Sequence, residues 1–495
     1  MAAAASTPNT QPGSTAPIQV ARYSYYALAV LTGVNFLNYI DRQVLPAVAY
    51  ALKQDPRVHL TDTQIGAMEA TLLLSFTVLA PLFGRLGDRY SRTRLMAGAA
   101  VIWSVATGLT ALVDHSPWLP PSLEFVFPIT HFGVALSGVA IALCLVRALV
   151  GVGESSYSTI TPTLIADYFP PQRRATALGI FQAAIPMGFA LGYVLGGILA
   201  HYFGWRVAFM VVGLPGMIAA LVVWRLKEPV RGASDTPPVN AENAGTPVGK
   251  LEPDQQLPWL GTYWRILSTR DWVLSTAGYT ALTFVLGAFG TWASLMLIQE
   301  KHMSDTAANI ALGVTVLFAG AAGTFGGGWI ADRFAARRHN GYFLVCAASS
   351  LLGIIPTVLA LVFHQPIFFL PAIFLAIVFL FSNNAPFHAI LVGSVPPEIR
   401  ASAMALNIVA IHLFGDVNSR LGVGVLSDAL AAGHYAPLGA LARGLGIDPT
   451  HEHLTAALLV VPFALLVSAL FFLWGARKRT ATRGRQAPGQ LHSEG

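Results

Sequence analysis

The chain has 495 residues, of which 54% are hydrophobic and 11% charged, with a formal net charge of +6 at pH 7. A soluble domain carries about 25% charged residues, so this composition and a mean hydropathy of +0.59 exclude an ordinary soluble protein. The apolar runs are continuous rather than alternating, which argues against a β-barrel, and the basic residues sit in short loops, so the pI of 9.4 reflects topology rather than nucleic-acid binding.

In chain order, residues 1–22 form a tail of Ala, Thr, Pro and Gln expected to be disordered and cytoplasmic. It lacks the basic n-region of a signal peptide. Twelve apolar runs follow, each long enough to cross ~30 Å of hydrocarbon. They cover approximately 24–52, 63–87, 95–113, 132–167, 173–200, 204–226, 272–299, 305–333, 341–363, 367–394, 400–430 and 453–476. A stretch rich in Pro, Gly, Ser and Asn, 227–270, reads as a flexible linker between spans 6 and 7. The expected organisation is a six-helix bundle at 23–226, the cytoplasmic linker 227–270, a second six-helix bundle at 271–477 and a basic tail at 478–495. Twenty-two of the 30 Lys and Arg fall on the side holding both termini and 5 on the other, which places the termini in the cytoplasm.

The halves repeat. GRLGDRYSRTR (84–94) follows span 2 and GGWIADRFAARR (327–338) follows span 8, so Asp88 corresponds to Asp332. FPPQRRATAL (169–178) opens span 5 and VPPEIRASAM (395–404) opens span 11. Two parallel six-span repeats point to a transporter that holds substrate between its bundles. Pro170-Pro171 and Pro396-Pro397 suit first helical turns, and Asp88 and Asp332 are placed to supply carboxylates to the positive ends of those helices. Gly188, Gly192 and Gly196 stand four apart in span 5, a seam for close helix contact.

Charges inside the spans mark the candidate site, since intramembrane ionisable groups line ion or substrate routes by default. Asp41 and Arg42 are adjacent in span 1, point about 100° apart, and must look to different helices. Span 4 offers Arg147 and Glu154, seven apart on one face, with Glu154 at a depth similar to Asp41. The four groups sum to zero formal charge, and either proton coupling or a static structural network would use them. Span 11 carries His412, Asp416 and Arg420 as one stripe, in which Asp416 and Arg420 can pair locally. Asn383, Asn384 and His388 surround Pro386 in span 10, and Tyr279, Thr283 and Trp292 lie in span 7; all are cavity-lining candidates, as is Tyr157 in span 4. Glu69 lies about one turn inside span 2 and is expected to snorkel to the interface. No metal-ligand spacing and no phosphate-cradling loop is present, so neither a metal, a cofactor nor ATP is expected. Cys144 and Cys346 read as buried apolar residues.

This layout resembles the major facilitator superfamily over nearly the whole chain, with Ser91 where the loop signature usually has glycine. NYIDRQ (38–43), RALVGVGESSYSTITPTLIADYF (147–169), AIPMGFALGYVLGG (184–197) and HLFGDVNSRLGVGVLSD (412–428) are similar to the Spinster family. The resemblance implies a multi-pass protein of the cell membrane with an all-α fold of twelve transmembrane helices in two pseudo-symmetric bundles. It also implies proton and substrate coupling at Asp41, Arg42, Arg147 and Glu154, and a conformational latch of Gly84, Asp88, Arg89, Arg92, Arg94, Asp167, Asp332 and Arg333. The implied partners are protons, membrane lipids and an amphipathic lipid-like substrate such as a lysophospholipid or sphingoid compound, carried by a monomer. An organic-anion:proton symporter or multidrug efflux carrier would use the same fold; an intramembrane enzyme or a sensor is disfavoured by the repeat and the short tails. Three departures from the family stand out: Arg420 where proline is usual, the added acid Glu69, and residues 114–131, an insertion expected at the outer interface.

Overall fold

The structure, a computed structural model, describes residues 21–114, 122–127, 132–231, 259–396, 399–434 and 436–484. The expected tail before residue 21, linker residues 232–258 and the tail beyond residue 484 lie outside these.

The first half comprises α1 (Arg22–Gln54), α2 (Asp62–Arg89), α3 (Arg92–Thr110), strands β1 (Ser122–Phe127) and β2 (Phe132–Ser137), α4 (Gly138–Tyr168), α5 (Pro171–Phe203) and α6 (Trp205–Trp224). The second comprises α7 (Trp259–Ser268), α8 (Arg270–Gln299), α9 (Asp305–Arg337), α10 (Gly341–Val362), α11 (Pro366–Phe381), α12 (Asn384–Gly393), α13 (Arg400–Ala410), a π-helical segment (Ile411–Asp416), α14 (Val417–Ala431), α15 (Ala436–Gly444), α16 (His453–Leu458) and α17 (Val460–Gly484).

Among the described residues, nine helical stretches are long and apolar enough to cross a membrane. The other three expected spans correspond to α1, α3 and the α13–π–α14 run. α1 holds Asp41 and Arg42 in its middle, α3 has only 19 residues and opens on Arg92, and the third is divided into pieces of 11, 6 and 15 residues. Their polar content and breaks make them less apolar than the other nine.

Five features differ from the sequence expectation. Span 4 begins at Gly138 rather than 132, because Phe132–Ser137 pairs antiparallel with Ser122–Phe127 as a ribbon within the 114–131 insertion and its flank. The last part of the linker forms α7. Span 10 breaks at Ser382-Asn383, ahead of Pro386, into α11 and α12. The helix after Pro396 starts at Arg400, whereas Pro171 does sit in the first turn of α5; Pro397 lies outside the described residues. α17 also continues to Gly484, into the expected tail. Both cysteines are buried and unbridged.

The glycine seam of α5 faces α1. A Cβ on Gly188 would stand 2.6 Å from that of Tyr39, one on Gly192 2.7 Å from that of Gln43, and one on Gly196 2.7 Å from that of Ala47. Three turns of α5 are thus in backbone contact with the helix that carries Asp41. The antiparallel packing leaves two ends. Tyr23, Arg92, Asp167, Glu228, Asn340 and Ala476 mark the terminal face; Asp55, Asp62, Glu300, Asp428 and Glu452 mark the distal face.

Candidate functional site

The constellation expected from sequence assembles in the middle of the helices, but as two networks rather than one. Arg42 on α1 donates from Nε to Glu154 Oε2 on α4 at 2.6 Å. Its guanidinium also lies over the rings of Tyr39 and Phe76, 5.2 and 5.0 Å from their centroids. Phe76 in turn meets the His412 ring edge-on, so the Arg42 pair borders the stripe on the second half.

Asp41 does not pair with a cation. It is fully buried, and Oδ2 accepts from Trp103 Nε1 at 2.7 Å and Thr107 Oγ1 at 3.0 Å on α3. Its Oδ1 has no hydrogen-bond partner among the described residues. Trp103 is held in place by Gly153: a Cβ there would stand 2.5 Å from that of Trp103, so α3 and α4 meet at backbone distance directly beneath the indole. Neutral donors such as these give no signature in a search for charge partners.

Arg147 makes its hydrogen bond to another acid rather than to Asp41. Its Nη2 donates to Glu69 Oε1 on α2 at 3.1 Å, and Glu69 Oε2 accepts from Arg420 Nη1 on α14 at 2.5 Å. Arg420 also donates to Thr291 Oγ1 on α8 at 2.9 Å. This corrects two expectations. Glu69 is 3% exposed and does not snorkel; the Thr61–Gln64 capping box starts α2 at Asp62, which puts Glu69 two turns into the helix, about 10 Å at 1.5 Å per residue. Arg420 does not pair with Asp416, which instead takes His412 Nδ1 at 2.8 Å. The wide turn of the π segment, closed by Val417 N–H to His412 O, lies between Arg420 and the helix preceding it. Thr283 Oγ1 donates to Ile411 O at its start.

The cavity candidates divide by burial. His388 is exposed, and Asn384, His412 and Asp416 are partly so. Asn384 accepts from Tyr279 OH at 2.8 Å, and Tyr279 stacks on Phe387 with centroids 3.7 Å apart. Tyr157, Asn383, Thr283 and Trp292 are buried in helix packing: Tyr157 donates to Leu31 O, Asn383 to Phe379 O, and Trp292 to Arg420 O. Two grooves, of about 800 Å³ between α3 and α6 and about 350 Å³ beside α8, lie on the flanks and include none of these charged groups except Arg94 at the rim of the first.

The hydrogen bonds that join the two halves sit in the distal part of the molecule. Asp428 on α14 accepts from the backbone N–H groups of Asp62 and Thr63 at 3.2 and 2.8 Å, so the second half caps a helix of the first. Asp62 itself takes Lys53 Nζ at 2.5 Å and Ser427 Oγ at 2.7 Å, with His453 at 3.6 Å. Asn309 on α9 donates to Ala47 O, and Tyr193 on α5 donates to Gly290 O. At the terminal face the loop residues bond within their own half. Arg92 joins Asp167 at 2.6 Å and Glu228 at 3.2 Å, Arg231 donates to the Gly87 and Asp88 carbonyls, Tyr342 donates to Asp332 at 3.1 Å, and Arg333 lies over Trp329. Gly84 packs near Thr159, while Arg89 and Arg94 are exposed. Sequence reading missed Glu228, because it stands in what looked like linker.

Helices in two halves, joined at one end with charge buried between them, define a membrane carrier, and comparison with known proteins agrees. The family model of the Major Facilitator Superfamily matches residues 31–415. The chain is 31% identical to protein spinster homolog 3 of Danio rerio, over 91% of this chain and 84% of the relative. It is 32% identical to protein spinster homolog 1 of Homo sapiens, over 81% and 73%. A crystal structure of a bacterial homolog to human lysosomal transporter Spinster, inward-facing and occupied, superposes with TM-score 0.74 at 20% identity, covering 93% of this chain and 98% of that one. The unoccupied form gives TM-score 0.72 at 21% identity, over 94% and 98%. The chain belongs to the major facilitator superfamily, and within it to the Spinster family. It is an integral membrane transporter of the Spinster type, from a superfamily that carries small molecules.

Proposed function

We propose that this protein is a proton-coupled secondary transporter of an amphipathic, lipid-like substrate of the lysophospholipid or sphingoid type, working by alternating access between bundles 23–226 and 271–477. Asp41 is the proton-binding group. The observation that carries this is its environment: a fully buried carboxyl with two neutral donors on Oδ2 and no partner on Oδ1. Burying an ionised carboxylate without a cation in contact is costly, and a proton on the free Oδ1 removes that cost. Glu154 shares in the coupling: Arg42 holds its Oε2, and its buried Oε1, like Oδ1 of Asp41, has no hydrogen-bond partner among the described residues.

Arg147 supports an anionic group on the substrate. It is fully buried, yet its Nε and Nη1 have no partner among the described residues. A phosphate or carboxylate head meeting these donors, with its tail among the exposed apolar groups, would use the site fully. The crowding of inter-half bonds at the distal face matches a carrier open on its terminal side. With both termini in the cytoplasm, the latch residues at the terminal face would engage in the opposite state. The protein acts as a monomer, with bilayer lipid as its surroundings.

The test is uptake of a lysophospholipid into proteoliposomes under an imposed pH gradient. Wild type responds to the gradient; Asp41→Asn transports at the same rate with and without it. An Asp41→Asn protein that keeps the full gradient response removes Asp41 from the coupling role.

A further inference from the structure

We propose that Glu69 is a positioning residue that locks the distal seam: it binds Arg147 of its own half and Arg420 of the other, and separation of the halves must break it from Arg420. The proposal rests on the alternating-access reading above. Three observations carry it. Glu69 gives one carboxylate oxygen to each guanidinium, and all three side chains are buried or nearly so, with Arg147 at 0% and Arg420 at 12%. The bridge also sits where α2 and α14 touch. One turn before Glu69, a Cβ on Gly66 would run into the backbone carbonyl of Arg420, and further along α14 a Cβ on Gly424 would run into the carbonyl of Asp62. Finally, the anchoring is one-sided. Arg147 lies on α4, whose Gly151 packs against Leu72 and Ser75 of α2, so Arg147 travels with Glu69. Arg420 is fixed to the second half through Thr291 Oγ1 and through Trp292 Nε1 on its carbonyl.

Parting α2 from α14 therefore splits the bridge at Glu69–Arg420 and at no other link. While closed, it strongly resists opening, because removing one partner of a buried pair leaves the other charge unpaired. It also fixes the direction of Arg147, whose remaining donors stay available to an anionic substrate group. Glu69 and Arg420 are the two charged residues that set this chain apart from the family pattern seen in its sequence, and the structure shows that they are partners.

The experiment measures distal distances directly, with no substrate and no pH gradient. Spin labels on Gln54→Cys and Ala432→Cys, both exposed positions on the distal face, are read by pulsed electron paramagnetic resonance in nanodiscs, in the full chain. Wild type gives a single short distance. Glu69→Gln and Arg420→Gln each raise the long-to-short ratio about tenfold, within the usual range of coupling between sites. The double variant goes no further than either single, and Arg420→Lys stays near wild type. Unchanged distributions in both single variants, or a double variant whose shift is the product of the two, overturn the proposal. Size-exclusion and thermal-unfolding profiles identify any variant that has not folded, and the other single Gln variant then carries the comparison with wild type. Because the readout involves neither substrate nor protons, its failure leaves the Asp41 coupling test untouched, and the reverse holds as well.

Discussion

The halves meet along two seams that the internal repeat makes equivalent, and their chemistry differs. Between α5 and α9 the contact is neutral. A Cβ on Gly313 would lie 2.6 Å from Ala190 O and one on Gly197 2.7 Å from that of Asn309. The amide of Asn309 is satisfied by Ser294 Oγ, Asp305 O and Ala47 O. Between α2 and α14 the glycines Gly66 and Gly424 give a similar backbone approach, but charge is layered over them: Asp428 caps α2, Asp62 gathers Lys53 and Ser427, and Glu69 holds Arg420. Each neutral hydrogen bond contributes about 0.5–1.5 kcal/mol net, and water replaces it readily on opening. Buried ions need new partners or full hydration when they separate. The same fold position can thus be a sliding contact on one side and a barrier on the other. That asymmetry makes α2–α14 the seam that sets the conformational equilibrium.

The strongest break in this comparison is Gly66→Leu. A side chain at this point cannot coexist with the Arg420 carbonyl, which is backbone and cannot turn aside. Overpacking of this kind costs about 1–3 kcal/mol, directed against distal closure. Maleimide labelling of a distal cysteine should accelerate at least several-fold, while lysophospholipid uptake falls.

A matched pair of variants sharpens the contrast. Asp428→Asn removes the charge from the cap on α2 and is expected to cost about 1–2 kcal/mol; Asn309→Ala empties the neutral seam at about 1 kcal/mol. If the seams differ as described, Asp428→Asn increases distal labelling and Asn309→Ala lowers the thermal midpoint with little change in labelling. Equal effects on labelling would show that both seams gate.

How much of this was legible in the sequence follows from the type of partner. That Asp41, Arg42, Arg147 and Glu154 belong to one region could be read because all are charged and depth along two long helices is simple to count, although which of them pair could not. The bundle order, the α5 seam and the buried cysteines were legible for the same reason: helical period and span length fix them. The partners of Asp41 were not, since Trp103 and Thr107 look like ordinary span residues. Glu69 was misplaced because its partners, Arg147 and Arg420, come from two other helices, and Arg420 because the π segment changes the turn before it. The strands Ser122–Phe127 and Phe132–Ser137 and the helix Trp259–Ser268 escaped because their residues read as an insertion, as the start of span 4 and as linker.

The smallest expected effect lies at the terminal face, away from both seams. Glu228 is held below the usual carboxylate range: partial burial would raise it, but hydrogen bonds from Ser91 Oγ, Arg92 N–H and Arg92 Nε outweigh that. A lowered folded-state value means its stabilisation is present above the unfolded value, about 4.3, and is lost as pH falls through the folded one. For so exposed a group the contribution is at most about 1 kcal/mol. Glu228→Gln should therefore lower the thermal midpoint slightly at pH 7, and the difference should shrink as pH falls below about 4.3. A difference that does not shrink on acidification would assign the effect to packing rather than charge.

The central claim is that Asp41 carries the proton while the ion pairs around it hold the helices. It is tested most directly by substrate-evoked proton movement, followed with a pH-sensitive dye inside proteoliposomes at symmetric starting pH. Wild type should move protons on addition of lysophospholipid. Asp41→Asn should exchange lysophospholipid across the membrane while the dye stays silent. A dye response in Asp41→Asn equal to that of wild type would contradict the account.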